Sequence, residues 1–208
     1  MKEYTDEEFF QCKLRGANNV INAVFGSPTE DGGKYANIPP SVLEKAAARG
    51  KAVHESIEAW LRNDMQGEPI IGLEHQIYIY NFKDWLKNRC TIEEVYGIEA
   101  KMISEKLACK GIIDCIAKVK TDTDEESQIA IIDWKTSSSL DLFRTQCQLQ
   151  LYYELLMEED PELCKQVTEL RTLSITKHEY RWFKFPIDRQ LGASILYLYN
   201  NYLRCDHE

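Results

Sequence analysis

No two cysteines of this chain stand in a C-x-x-C pair. The seven present, at positions 12, 90, 109, 115, 147, 164 and 205, are odd in number and scattered, which argues against a disulfide framework and against a zinc site. They read as reduced, mostly structural thiols. Long apolar runs are also missing. Ile129 to Ile132 and Leu149 to Leu156 are short and bounded or broken by charge, well below the roughly 20 residues of a bilayer span. The first eight residues, Met1-Lys-Glu-Tyr-Thr-Asp-Glu-Glu8, lack the basic and apolar regions of a secretory signal, so a cytosolic (cytoplasmic) protein is the expectation. Positive charge is in deficit: 25 Lys and Arg against 34 Asp and Glu leave a net charge of −9. That disfavours a protein that coats nucleic acid non-specifically. It weighs less against an enzyme that brings a divalent cation to its substrate, because the ion supplies charge where it is needed.

At 208 residues and 44% hydrophobic content, the chain can bury one sizeable core, and a single domain over 1–208 is expected. Residues 1–40, with a short amphipathic stretch (Phe9, Phe10, Leu14) followed by the turn-rich Gly26-Ser-Pro-Thr-Glu-Asp-Gly-Gly33 and Pro39-Pro40, read as an irregular or helical N-terminal segment. Ser41 with Glu44 reads as a capping box opening a helix to about Arg62, with Val53, Ile57, Trp60 and Leu61 at helical spacing. A second helix is expected over Leu73 to Asn88. Strands follow at Val95 to Ile103, Gly111 to Val119 and Gln128 to Trp134, the last two separated by the acidic turn 121–127; they suggest a meander. A helix from Leu142 to Met157 ends at Asp160-Pro161. Two more strands, Leu170 to Thr176 and Tyr180 to Phe185, precede a last helix capped by Asp188 and running to about Arg204.

Within Ile131-Ile-Asp-Trp-Lys-Thr136, strand alternation puts Asp133 and Lys135 on one face. The preceding strand carries Gly111-Ile-Ile-Asp114, and if the acidic turn brings the two strands side by side, Asp114 and Asp133 can converge on one cation. Hard divalent ions take such oxygen ligands. The chemistry served by two carboxylates, a lysine and a metal is phosphodiester hydrolysis, with Lys135 orienting the nucleophile or neutralising charge on the phosphate. Taken alone, a D-x-K triplet is common and more often a strand-end salt bridge.

Three linked motifs make more of it. Gly111-x-x-Asp114, Asp133-x-Lys135-Thr136 and Gln148-Leu-Gln-Leu-Tyr152, in that order, resemble the PD-(D/E)XK nuclease superfamily, and most of all its RecB-like and phage recombination exonuclease branch. The proline that often precedes the first Asp is replaced by Ile113. Upstream, Arg49-Gly-Lys-Ala-Val-His-Glu55 resembles the segment whose histidine binds metal in several members, so the resemblance spans about Arg49 to Tyr153.

The resemblance implies an α/β (α+β) restriction-endonuclease-like core, a central mixed sheet of about five strands flanked by helices. It implies Asp114, Asp133, His54 and Glu99 as ligands of one or two Mg²⁺ or Mn²⁺ ions, with Lys135 as the catalytic lysine. Glu105 competes with Glu99, which is preferred because it lies inside a strand. Gln148 and Tyr152 share a helix face and would support the site or touch substrate; Gln146 with Gln150 is the competing pair, and Tyr152 could equally be plain core. Thr136 and Ser137 either meet a phosphate or cap the following helix.

Some relatives hold an iron–sulfur cluster, but Cys147, Cys164 and Cys205 are too far apart for one. The partner implied is DNA, with a single-strand annealing protein and a ring-shaped homo-oligomer as further possibilities of that branch; no membrane is involved. Lys13, Arg15, Arg49, Lys51 and Lys110 are candidates to line a DNA path, with solvated surface as the plainer reading. An endonuclease of the same fold and an inactive nucleic-acid-binding relative are the alternatives to an exonuclease.

Overall fold

The β-branched runs of the central sequence pair into the sheet on which everything else is mounted. A computed structural model describes residues 1–63 and 71–204; Cys205 lies outside the described residues. Strands β2 (Cys90–Ser104), β3 (Cys109–Thr121) and β4 (Gln128–Lys135) form the expected antiparallel meander. Helices α5 (Leu142–Glu159) and α6 (Pro161–Gln166) carry the chain back to β5 (Val167–Ile175), parallel to β4, and β6 (Tyr180–Phe185) closes the edge antiparallel to β5. The result is a mixed α/β sheet of six strands rather than five. The additional strand is β1, only Arg15–Gly16, parallel to β3.

The N-terminal segment is more ordered than expected. Helix α1 (Asp6–Gln11) starts in a capping box between Thr5 and Glu8, and α2 (Ala17–Phe25) buries Ala17, Val20 and Ile21. The amphipathic stretch around Phe9 and Phe10 is α1, while the face of α2 is too short for periodicity alone to single out. The Ser41 cap is also corrected. Helix α3 (Pro40–Arg62) begins at Pro40 with Pro39 in the cap position and no side-chain cap bond, because proline at the first helical position presets φ and gives up an amide hydrogen that would go unsatisfied anyway. Leu73–His75 forms a 3₁₀ turn leading into α4 (Gln76–Asn88). Asp188 caps α7 (Arg189–Leu198) as expected, and Tyr199–Leu203 continues it as a π-helical turn.

Helices cover both faces of the sheet. On one face α2, α5 and α7 pack with Met102, Ile113 and Ile131; on the other, α3 and α4 pack with Cys115, Ile132 and Trp134. Five cysteines, at 90, 109, 115, 147 and 164, are buried in these layers. Among the described residues no helix is long and apolar enough to cross a membrane.

One topological detail opens a place for chemistry. Strand β2 accompanies β3 along one edge from end to end. On the other edge β1 takes Cys109 and Lys110, and β4 takes Cys115 to Val119. Among the described residues, the stretch Gly111 to Asp114 has no strand partner on that edge.

Candidate metal centre

In an unbroken strand, residues i and i+2 share a face. Ile113 and Cys115 do not: the first packs in the α5 layer, the second in the α3 layer. Across the ladder, Ala100 and Ile98 are divided in the same way. Both strands therefore turn over at the opposed positions Asp114 and Glu99, which the register places between Ile98↔Cys115 and Ala100↔Ile113. The turnover is visible in the backbone, because Glu99 has a φ of 47°, a left-handed conformation that costs a non-glycine residue energy and gathers at functional sites.

Helix α3 supplies the third group. His54 Nε2 lies 2.8 Å from the carbonyl oxygen of Trp134. A carbonyl can only accept, so Nε2 carries the hydrogen and donates it, which leaves Nδ1 directed at Asp114 Oδ2, 3.5 Å away. Asp114 Oδ2 in turn accepts the backbone N–H of Trp134 at 2.7 Å. One residue of β4 thus orients both groups through its backbone alone. The ligand atoms of His54, Glu99 and Asp114 all lie within 4.8 Å of one another, a cluster able to coordinate a divalent cation.

Asp133 stands beside this cluster on the α5 side. Its Oδ1 accepts from Lys135 Nζ at 2.7 Å, while its Oδ2 is buried with no hydrogen-bond partner among the described residues. A buried carboxylate oxygen left without a donor is costly, and a cation is the simplest partner for it. Lys135 Nζ also donates to Gln148 Oε1 at 2.9 Å, and Gln148 Nε2 donates to the Tyr152 hydroxyl at 2.6 Å. The competing Gln150 is occupied elsewhere: it donates to Glu154 and accepts the backbone N–H of Asp188, joining α5 to the start of α7.

The Gly111 position is explained by Tyr152. A Cβ there would lie 2.8 Å from Tyr152 Cε1 and 3.1 Å from Leu155 Cδ1, so glycine makes room for a buried ring. Gly111→Ala should push the ring aside, destabilise the fold by about 1–3 kcal/mol and loosen the Gln148–Lys135 contact; urea unfolding measures the first effect and residual activity the second.

The titration behaviour follows from crowding. Burial opposes charge on His54, but the adjacent Asp114 carboxylate prevails and carries the imidazole up to about 9. Burial, then the Asp114 charge, pushes Glu99 up to about 7. Burial also raises Asp133, against the opposing pull of Lys135. Asp114 is held low despite its burial, chiefly by His54, and burial fails to discharge Lys135 because Asp133 and Asp114 raise it. Without a cation the site thus holds protons that ligation must displace. Mn²⁺ affinity should rise between pH 6 and 9 by about tenfold per unit for each proton displaced, with matching proton release in calorimetry; an affinity flat across that range would remove His54 from the ligand set.

Several grooves reach the site. Gly50, Lys51, His54, Glu55, Glu58 and Glu99 lie in one of about 570 Å³. Lys34, Tyr35, Lys135, Ser137, Ser139 and Arg144 lie in another of about 200 Å³. Ser137 therefore meets a groove, whereas Thr136 is buried against α3, its hydroxyl 3.4 Å from where a Gly50 Cβ would be. Neither caps α5, since Asp141 does. Of the basic residues read as a DNA path, Lys51 lines a groove. Arg49 donates to the Thr136 carbonyl, and Lys110 donates to the carbonyls of Phe9 and Cys12. Glu105 lies exposed in the β2–β3 turn. Lys34, Tyr35 and Arg144 had no signal in the sequence. Lys34 and Tyr35 reach the groove because the 27–38 segment folds against the β4–α5 loop, where both donate to the Ser139 carbonyl, and Arg144 reaches it from the first turn of α5.

No curated protein matches the chain in sequence. A solved structure titled "Crystal structure of SSO0001" aligns with 62% of this chain and 57% of its own, at 18% identity and a TM-score of 0.32, so the alignment spans little more than half of that protein. The family model of the PD-(D/E)XK nuclease superfamily matches residues 44–181. That interval runs from the helix bearing His54, through Glu99, Asp114, Asp133 and Lys135, to β6, and the chain belongs to the PD-(D/E)XK nuclease superfamily.

Proposed function

We propose that the protein is a Mg²⁺- or Mn²⁺-dependent deoxyribonuclease, an exonuclease of the phage or mobile-element recombination type. The observation that carries the reading is the junction of two sets of groups, His54–Glu99–Asp114 and Asp133–Lys135–Gln148, at one break in the sheet. His54 through Nδ1, Glu99 and Asp114 would hold the cation, with the unpartnered Asp133 Oδ2 as a further ligand. A cation bound there supplies Lewis-acid polarisation of a phosphoryl oxygen and acidifies water at the site.

The protein's own groups do the remaining work. Lys135 has three N–H donors and commits two of them, to Asp133 and Gln148. That fixes the direction of the third, which is available to a phosphate oxygen or to the attacking water in the adjoining groove. A donor already held in place loses little freedom when charge develops. Lys34 in the same groove, which commits one N–H to the Ser139 carbonyl, keeps donors for a neighbouring phosphate. The RecB-like affiliation rests on the order of the Gly111, Asp114, Asp133, Lys135 and Gln148 motifs.

The test is purified protein with linear DNA and Mg²⁺ or Mn²⁺. Release of nucleotides from ends is expected, with covalently closed circles left intact. Nicking of circles would instead identify an endonuclease, and inertness with both metals would end the nuclease reading.

A further inference from the structure

The larger groove has an aromatic residue on its wall that the metal site does not use. Phe10 lines it together with Asp6, Lys51, His54, Glu99 and Lys101 and is 69% exposed. A single exposed phenylalanine needs no explanation on an ordinary surface. This one stands in the groove that contains two of the candidate ligands, on a helix tied down at both ends. Helix α1 is fixed at its start by the Thr5–Glu8 capping box and by Asp6, which pairs with Lys101 of β2 at 2.7 Å. It is fixed at its end by Lys110, whose ammonium donates to the carbonyls of Phe9 and Cys12 and lies 4.8 Å from the centre of the Phe9 ring. Phe9 is buried, and Phe10 stands edge-on to it at 5.6 Å. The buried ring and its clamp present the exposed one.

The charges around Phe10 restrict what can lie against it. Asp6, Glu55, Glu58 and Glu99 face Lys51, Lys101 and the His54 imidazole; each lysine is already paired, with Glu55 and Asp6 respectively, and His54 with Asp114. Such a groove offers little to the two phosphate rows of a duplex. It offers an apolar ring face to an unpaired base, and stacking is tolerant of sequence. Resting on the nuclease reading above, we propose that Phe10 stacks on an unpaired nucleobase of single-stranded DNA next to the metal centre, so that the enzyme acts on single strands and frayed ends in preference to paired ends.

The experiment combines binding and cleavage. A short single-stranded DNA with 2-aminopurine near its end is titrated into the protein in Ca²⁺, and cleavage of blunt and forked duplexes is compared in Mn²⁺. The wild type should quench the 2-aminopurine and cleave the fork faster. Phe10→Ala should bind the single strand about tenfold more weakly and lose the preference for the fork, while Phe10→Trp should restore both. Equal binding by wild type and Phe10→Ala, with wild-type cleavage intact, would overturn the stacking role and leave the nuclease reading standing. Absence of both cleavage and quenching in the wild type would overturn the two together.

Discussion

Lys135→Ala should reduce DNA cleavage by about 10²–10³-fold, the loss expected on removing one fixed donor to developing charge, while the fold survives. The reasoning runs through Asp133. In the wild type its buried carboxylate is balanced by the Lys135 ammonium at 2.7 Å. Burial already holds Asp133 up to about 6. Without the lysine its pKa rises further and the group takes up a proton at neutral pH instead of remaining as an unbalanced buried charge. Far-UV circular dichroism should therefore match the wild type, with a melting temperature within a few degrees, and Mn²⁺ should still bind, because His54, Glu99 and Asp114 are untouched. A variant with wild-type cleavage would remove Lys135 from the mechanism. A variant that failed to fold would show that the ion pair is a structural element of the β4 end.

The largest loss of stability is expected far from this site, at Arg171. Its side chain is 1% exposed and its guanidinium meets two carboxylates, Glu169 on its own strand and Asp124 of the acidic turn at 2.8 Å. It also lies 5.2 Å from the centre of the Trp182 ring. Lys184 pairs with the other oxygen of Glu169, and Asp124 accepts from the Thr121 hydroxyl at 2.6 Å. Arg171→Leu leaves Glu169 and Asp124 without their shared cation, and breaking a buried charge network from one side costs roughly 3–5 kcal/mol. Burial tends to raise Asp124, but the Thr121 and Arg171 contacts prevail and lower it from its ordinary 3.8. Its stabilising contribution is therefore complete above pH 3.8 and is lost as pH falls through the lower folded value. In Arg171→Leu that acid-side loss should shrink. Urea unfolding at pH 7 and pH 3 measures both effects; a wild-type midpoint at pH 7 would show that the network contributes nothing net.

Local chemistry was legible wherever a motif lies on one regular element. Asp133 and Lys135 share a face because a strand alternates, and Gln148 and Tyr152 because a helix turns every 3.6 residues. The meander and the Asp188 cap were legible for similar reasons, whereas the parallel pairing of β5 with β4 came only from the structure. Ser41 misled because the Ser-x-x-Glu pattern matched a capping box while Pro39-Pro40 had already started the helix. Helix α1 showed only as a short amphipathic stretch around Phe9 and Phe10, and α2 was not singled out, because six and nine residues give periodicity little room. Glu99 could be preferred to Glu105 from its strand context, but nothing in the sequence announces its φ of 47°.

By itself, then, the sequence determined which residue types stand two or four apart on each element, and with them the Asp133–Lys135 and Gln148–Tyr152 pairs. The tertiary structure decided that 54, 99 and 114 meet. That meeting depends on the register of β2 against β3, on both strands turning over at one level, on β1 and β4 dividing an edge between them, and on the Trp134 backbone orienting His54 and Asp114. Periodicity records which neighbours along the chain share a face, whereas convergence of distant segments is set by packing and by hydrogen bonds to main-chain atoms that every residue possesses.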